Sequence, residues 1–313
     1  MNCFCTLAIG VLITSAAIGA ATNSLDPGVQ TPTVVSVPVT ETNAAIEKEY
    51  EKVQAEDDFA QGEIARWIAE NHAKPKGTEV PEAELEHRVH ERLEPVHKSY
   101  EDFLGRHPNH VQARLDYGSF LNELHDKPGA KAQWEKVIEL EPENSDAYNN
   151  LSGIYSATGP AKKAFEYCSK AIQLSPSNAS YYHNFGDTVY VLRKSAMENY
   201  DLNEQQIYAK ALGLYSNAFR LDPRNFSFAW DLAQTYYVIK PLPAEEALRS
   251  WTNALEIAQG EVDRENVYLH LARIKMLAGR YPEAKAQLNA VTNEHCLELK
   301  TRLIRSIQER EKP

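Results

Sequence analysis

Three prolines set the frame of this chain. Pro108, Pro142 and Pro176 follow one another at intervals of 34 residues, and each comes after an apolar run: Phe103-Leu104, Ile138-Glu139-Leu140 and Ile172-Gln173-Leu174. Proline lacks the N–H that a helix interior needs, so each marks an end. A period of 34 residues is the length of one helix–turn–helix unit. The next such proline, in Phe219-Arg220-Leu221-Asp222-Pro223, comes 47 residues later, one period plus 13, and the excess near Lys194 to Gln206 is expected to lengthen a helix pair or form a protruding loop. No such unit buries its apolar face alone, so several must stack, and the predicted fold is all-α.

Composition narrows what the stack can do. With 313 residues, 43% of them hydrophobic, the chain is long and apolar enough for a sizeable core. A net charge of -11 with no basic block argues against nucleic acid, which is held by Lys and Arg on its phosphates.

The ends read differently from the middle. Cys3 to Ala21 is uncharged and apolar, and Gly19-Ala20-Ala21 precedes polar Thr22-Asn23-Ser24. This predicts an export signal over 1–21, cleaved after Ala21. The alternative is an uncleaved membrane anchor, since the stretch approaches the roughly 20 residues that span a bilayer. Residues 22–41, with Pro27, Pro32 and Pro38, read as a flexible tether. A helical region over 42–105 follows, carrying Ile46, Tyr50 and Val53, then Ile64, Trp67 and Ile68, with a break expected near Gly62. The periodic part spans 106–292. Residues 293–313 close the chain as a capping helix with Leu299, Leu303 and Ile307 on one side.

The repeated residues resemble the tetratricopeptide-repeat family. The second repeat carries its pattern in Tyr148, Leu151, Ser152, Tyr155, Gly159, Ala164, Ala171 and Pro176, with Cys168 where an aromatic is usual. The first has Gly118, Leu121, Ala130, Trp134 and Pro142, with Arg114 in place of the opening aromatic. The third has Tyr182, Phe185, Gly186, Ala211, Tyr215, Ala218 and Pro223; a fourth and a fifth follow through Leu232, Ala233, Trp251, Tyr268, Ala272 and Ala284. The resemblance implies an α-solenoid of about five repeats winding into a right-handed superhelix. Its physical content is that small residues on one helix admit large ones from its partner, so Ala164 and Gly186 are expected to be packing positions. Cys168 and Cys296 lie about three repeats apart, beyond the roughly 7 Å between α-carbons that a disulfide spans, and are expected to be buried free thiols.

The candidate sites follow from the same register. His87, His90 and His97 lack the spacing of a zinc-protease motif, because Glu94 stands where the second histidine would be, so no metal is assigned there. Neither a Gly-rich phosphate loop nor a nucleophile elbow appears, so no catalytic residue and no cofactor is assigned. Three Asn-X-Ser sequons, at Asn150, Asn178 and Asn225, are explained equally well by the liking of helix boundaries for Asn and Ser. In the family the first helix of each repeat lines the concave surface. Aligning the repeats there gives a ladder of Asp116, Asn150, Asn184, Asp231 and His270, flanked by Asn149, Asp187, Tyr190, Trp230, Gln234 and Tyr237. Asn and Asp accept from backbone N–H groups of an extended peptide, and aromatics anchor it. Such an acidic, aromatic groove favours neutral or basic segments. The expected function is that of an exported interaction module, an adaptor or assembly factor for an unidentified protein or peptide. A membrane-tethered structural scaffold without a groove ligand is the alternative.

Overall fold

The computed structural model describes residues 39–75 and 77–312. The described residues from Ile46 onward form one compact unit. The expected signal over 1–21 lies outside the described residues, as does the tether over 22–41 except for 39–41, which open the first helix.

Fourteen α-helices and one 3-10 turn make up the described residues, without a strand among them. α1 (Val39–His72) and α2 (Glu82–Arg106) form an N-terminal pair. The first repeat is α3 (Val111–Glu123) with α4 (Lys127–Leu140), and the second is α5 (Ser145–Thr158) with α6 (Ala161–Leu174). The third sets α7 (Ala179–Val191) against α9 (Glu204–Leu221), with α8 (Arg193–Tyr200) between them. The fourth joins α10 (Phe226–Thr235) through the turn Tyr236–Val238 to α11 (Ala244–Ile257), the fifth is α12 (Glu261–Leu277) with α13 (Tyr281–Asn289), and α14 (Glu294–Arg310) follows.

The prolines do more than end helices. Two residues after each comes the N-cap of the next repeat: His110, Asn144, Asn178 and Asn225 accept from the backbone N–H of Ala113, Ala147, Ser180 and Phe228. That accounts for two of the three sequons as helix caps. Six residues after the first three prolines, Arg114 Nε, Tyr148 OH and Tyr182 OH donate to the carbonyls of Pro108, Pro142 and Pro176 at 2.7, 3.1 and 3.1 Å. Arg114 therefore makes the bond that tyrosine makes in the next two repeats.

Small-against-large packing holds the pairs together. A Cβ on Gly118 would lie 2.7 Å from Cε2 of Trp134, and one on Gly186 would lie 2.7 Å from Cε1 of Tyr215. Ala164 is fully buried, and Cys168 and Cys296 are buried free thiols.

Three expectations are corrected. α1 runs unbroken through Gly62, because Tyr50, Val53, Ala60 and Ile64 are buried along one stripe and Asp57, on the same face, accepts from Tyr100 OH at 2.8 Å. In α14 the inward residues are Cys296, Leu303 and Ile307, while Leu299 is exposed. The extra length in the third repeat is neither a loop nor a simple extension: α8 tucks Ala196 fully into the core, with Met197, Tyr200 and Leu202 packed beside it. No helix among the described residues is long and apolar enough to cross a membrane.

Candidate functional site

The inner helices α3, α5, α7, α10 and α12 carry the ladder, and their side chains bond one another across the seams. On α3, Asp116 accepts from Tyr50 OH and Gln54 Nε2 of α1, and from Gln112 Nε2 at 2.9 Å. Between α5 and α7, Asn184 Nδ2 donates to Asn149 Oδ1 at 3.0 Å, and Asn149 Nδ2 reaches Asn150 Oδ1 at 3.4 Å. Between α10 and α12, Tyr237 OH meets His270 Nδ1 at 3.0 Å.

The α7–α10 seam is the most charged. His183 Nε2 lies 2.8 Å from Asp231 Oδ2 and its Nδ1 lies 3.5 Å from Asp187 Oδ2, while Tyr215 OH of α9 donates to Asp187 Oδ1 at 2.7 Å. Each ring nitrogen thus faces a different carboxylate, which is the arrangement an imidazolium with two N–H donors satisfies. Burial works against that charge, but the Asp231 bond and the fields of Asp187 and Asp231 outweigh it and hold the His183 pKa above its ordinary value. Burial also raises Asp187, against the lowering effects of His183 and Tyr215. Donor atoms of His183, Asp187 and Asp231 lie within 4.8 Å of one another, close enough for a metal ion, but the two carboxylates meet opposite sides of the ring instead of converging on one nitrogen.

The residues expected to line a groove are all partly exposed, Gln234 wholly so, and they differ in what their side chains contact. Trp230 packs: it stands edge-on to Trp251 and His270, each at 5.0 Å between ring centroids. Tyr237 is taken up by His270, and Asn149, Asn184 and Asp116 are committed to the bonds above. His270 itself lies flat on Trp251 at 4.1 Å, and burial, with the charge of Arg273, lowers its pKa to about 4. The repeat register puts His183 on the same helix as Asp187, four residues away, but gives it no charged partner on the next repeat; the seam supplies Asp231.

On α2, His87 and His97 face Glu91 at 3.4 Å and Glu101 at 3.6 Å, each one turn away, so the histidine-rich stretch forms i,i+4 pairs.

Comparison with known proteins agrees with this architecture. The family model described as Tetratricopeptide repeat matches residues 145–178, which is the second repeat. The structure of YrrB, described as a TPR protein with an unusual peptide-binding site, is similar at 12% identity and a TM-score of 0.50, covering 68% of this chain and 98% of that one. MamA is similar at 17% identity and a TM-score of 0.45, over 65% of this chain and 96% of its own. PilF of Pseudomonas aeruginosa is similar at 20% identity and a TM-score of 0.48, over 66% of this chain and 88% of its own. A search of curated proteins found no match. The stacked helix pairs and the matched repeat define a tetratricopeptide-type α-solenoid. Residues 145–178 carry the tetratricopeptide-repeat match itself, and the fold around them is of the same kind.

Proposed function

We propose that this chain is an exported adaptor or assembly factor that holds an extended segment of another protein along the inner-helix face of its second to fourth repeats. The observation that carries the reading is that Asn150, Asp187, Tyr190, Asp231 and Gln234 are partly or wholly exposed on the first helices of consecutive repeats. Amide and carboxylate groups in such a row suit a peptide backbone in extended form, whose N–H and C=O groups repeat at regular intervals. The name of YrrB carries a peptide-binding site on a similar fold, and the same use is proposed here. Export rests on the uncharged stretch Cys3–Ala21 alone.

Pull-downs with tagged protein from its native source test the binding face. Replacing Asn150 and Gln234 together with Ala removes one partly exposed and one exposed group; the Asn184–Asn149 and His183–Asp231 bonds stay, and the 3.4 Å contact of Asn149 with Asn150 is lost. Loss of co-purifying proteins is expected, with the melting temperature unchanged. Undiminished recovery of the same proteins would favour the scaffold reading, in which contacts lie elsewhere. Amino-terminal sequencing tests export: a mature end near Thr22 is expected, and Met1 on cytoplasmic protein would refute it.

A further inference from the structure

We infer that the segment held on this face is basic, and that a Lys or Arg of the partner seats against the outer edges of Asp187 and Asp231; this rests on the proposed groove reading.

The inner helices of three consecutive repeats set the sign of the surface. α5, α7 and α10 contain neither Lys nor Arg, and each contributes one aspartate: Asp146, Asp187 and Asp231. His183 is the one residue on these helices able to offer a positive charge, and its side chain is only 15% exposed, against 49% for Asp187 and 39% for Asp231. The imidazole packs 4.8 Å from the Phe228 ring and 5.5 Å from the Tyr215 ring, and the half-buried carboxylates are the more exposed members of the cluster. One imidazolium between two carboxylates leaves a net negative charge, and with the ring neutral the pair is doubly negative. Asp231 Oδ1 has no hydrogen-bond partner among the described residues, so one acceptor on this seam is free.

A guanidinium or ammonium group answers that arrangement. It brings the missing charge and the donors for the free carboxylate edge, and charge-assisted bonds of this kind are the strong ones. Arg fits better than Lys, because its planar fork can bridge acceptors on two neighbouring helices. The chain's own leading segment is a poor occupant, since residues 1–47 contain neither Lys nor Arg. The partner is therefore a separate polypeptide with a basic, extended stretch. A groove of one sign also draws such a partner in from a distance.

The test uses the full chain and three fluorescein-labelled octapeptides of alternating Ser with Arg, Gln or Glu, read by fluorescence anisotropy at physiological ionic strength. The Arg peptide is expected to bind, the Gln peptide to bind about ten-fold more weakly, the loss of one charge-assisted contact, and the Glu peptide not at all. Asp187→Asn with Asp231→Asn should bring the Arg peptide down to the level of the Gln peptide. A control pair on exposed acids of the insertion, Glu198→Gln with Asp201→Asn, should leave all three unchanged. Because the seam helps hold the repeats together, Asp231→Asn alone, which keeps an acceptor for His183, is measured beside the double variant, with circular dichroism of each. Equal loss in the control pair would reduce the effect to net charge and overturn the inference. Equal binding of Gln and Arg peptides would overturn it too while leaving the groove reading intact; binding of none of the three would count against both. A Zn²⁺-induced rise in melting temperature that is lost in His183→Gln would assign the seam to a metal ion instead.

Discussion

Gly118 and Gly186 stand where their partner helices leave no room for a side chain. Each faces an aromatic ring of its partner helix so closely that a Cβ would fall inside the ring's contact distance, with 2.7 Å to the nearest Tyr215 atom at Gly186. Trp134 is fixed in addition by its Nε1–H bond to the Leu115 carbonyl at 3.1 Å, so it cannot swing away freely. Gly186→Leu and Gly118→Ala are each expected to cost about 1–3 kcal/mol, the usual scale of overpacking, in urea unfolding. Unchanged midpoints in both would mean the helix pairs are set differently. The two histidines of the inner face titrate in opposite senses. His183 has a raised pKa in the folded state, so its contribution is complete below the ordinary histidine value and is lost as pH rises through the raised one. His270, with a folded pKa of about 4, is protonated more readily when unfolded, so it lowers stability as pH falls from about 6.5 towards 4. Melting curves against pH should show His183→Gln flattening the neutral-to-alkaline limb and His270→Phe the acidic one. Identical limbs in wild type and variants would remove both assignments.

At the scale of elements, the register was legible because proline, N-cap and small residue recur together, and each has a local physical cause. The unbroken α1 was not, because Asp57 interrupts the apolar stripe and it takes the Tyr100 hydroxyl across the helix pair to accommodate an acid there. Seam bonds were equally hidden: which Asn or Asp is free and which is spent depends on how far one repeat turns against the next. Trp230, expected from the register to be a groove anchor, shows the same. Its ring packs against Trp251 and His270, so the change should cost roughly 2–5 kcal/mol of stability, the range of large-to-alanine truncations in cores. A melting temperature within a degree or so of wild type would restore it as a surface anchor. α8 is likewise part of the core. Deleting residues 195–204 removes Ala196, Met197, Tyr200 and Leu202 from the third repeat's apolar cluster, so loss of cooperative unfolding is expected, and a sharp transition at the wild-type midpoint would show the insertion to be an appendage.

For the molecule as a whole, stability in a repeat stack is nearly a sum over units and their nearest neighbours, so damage at one end should stay there. The C-terminal end offers a specific handle. Glu265 of α12 is only 4% exposed and accepts from Thr292 N–H at 2.9 Å, from Thr292 Oγ1 at 2.9 Å and from Asn293 N–H at 2.7 Å, tying the start of α14 to the fifth repeat. Burial opposes its charge, but the N–H bonds from Asn293 and Thr292 prevail and hold its pKa below the ordinary carboxylate value. Glu265→Ala strands these donors and should cost about 2–3 kcal/mol, as for a hydrogen-bonded charge removed from a buried site. The lost contacts are those that seat Cys296, Leu303 and Ile307 against Leu269, Ala272 and Leu288. Hydrogen exchange should therefore speed up across α12, α13 and α14 while α3 to α6 keep their wild-type protection. Faster exchange spread evenly from α3 to α14 would show instead that the stack unfolds as one cooperative body, with its binding face responding to damage at either end.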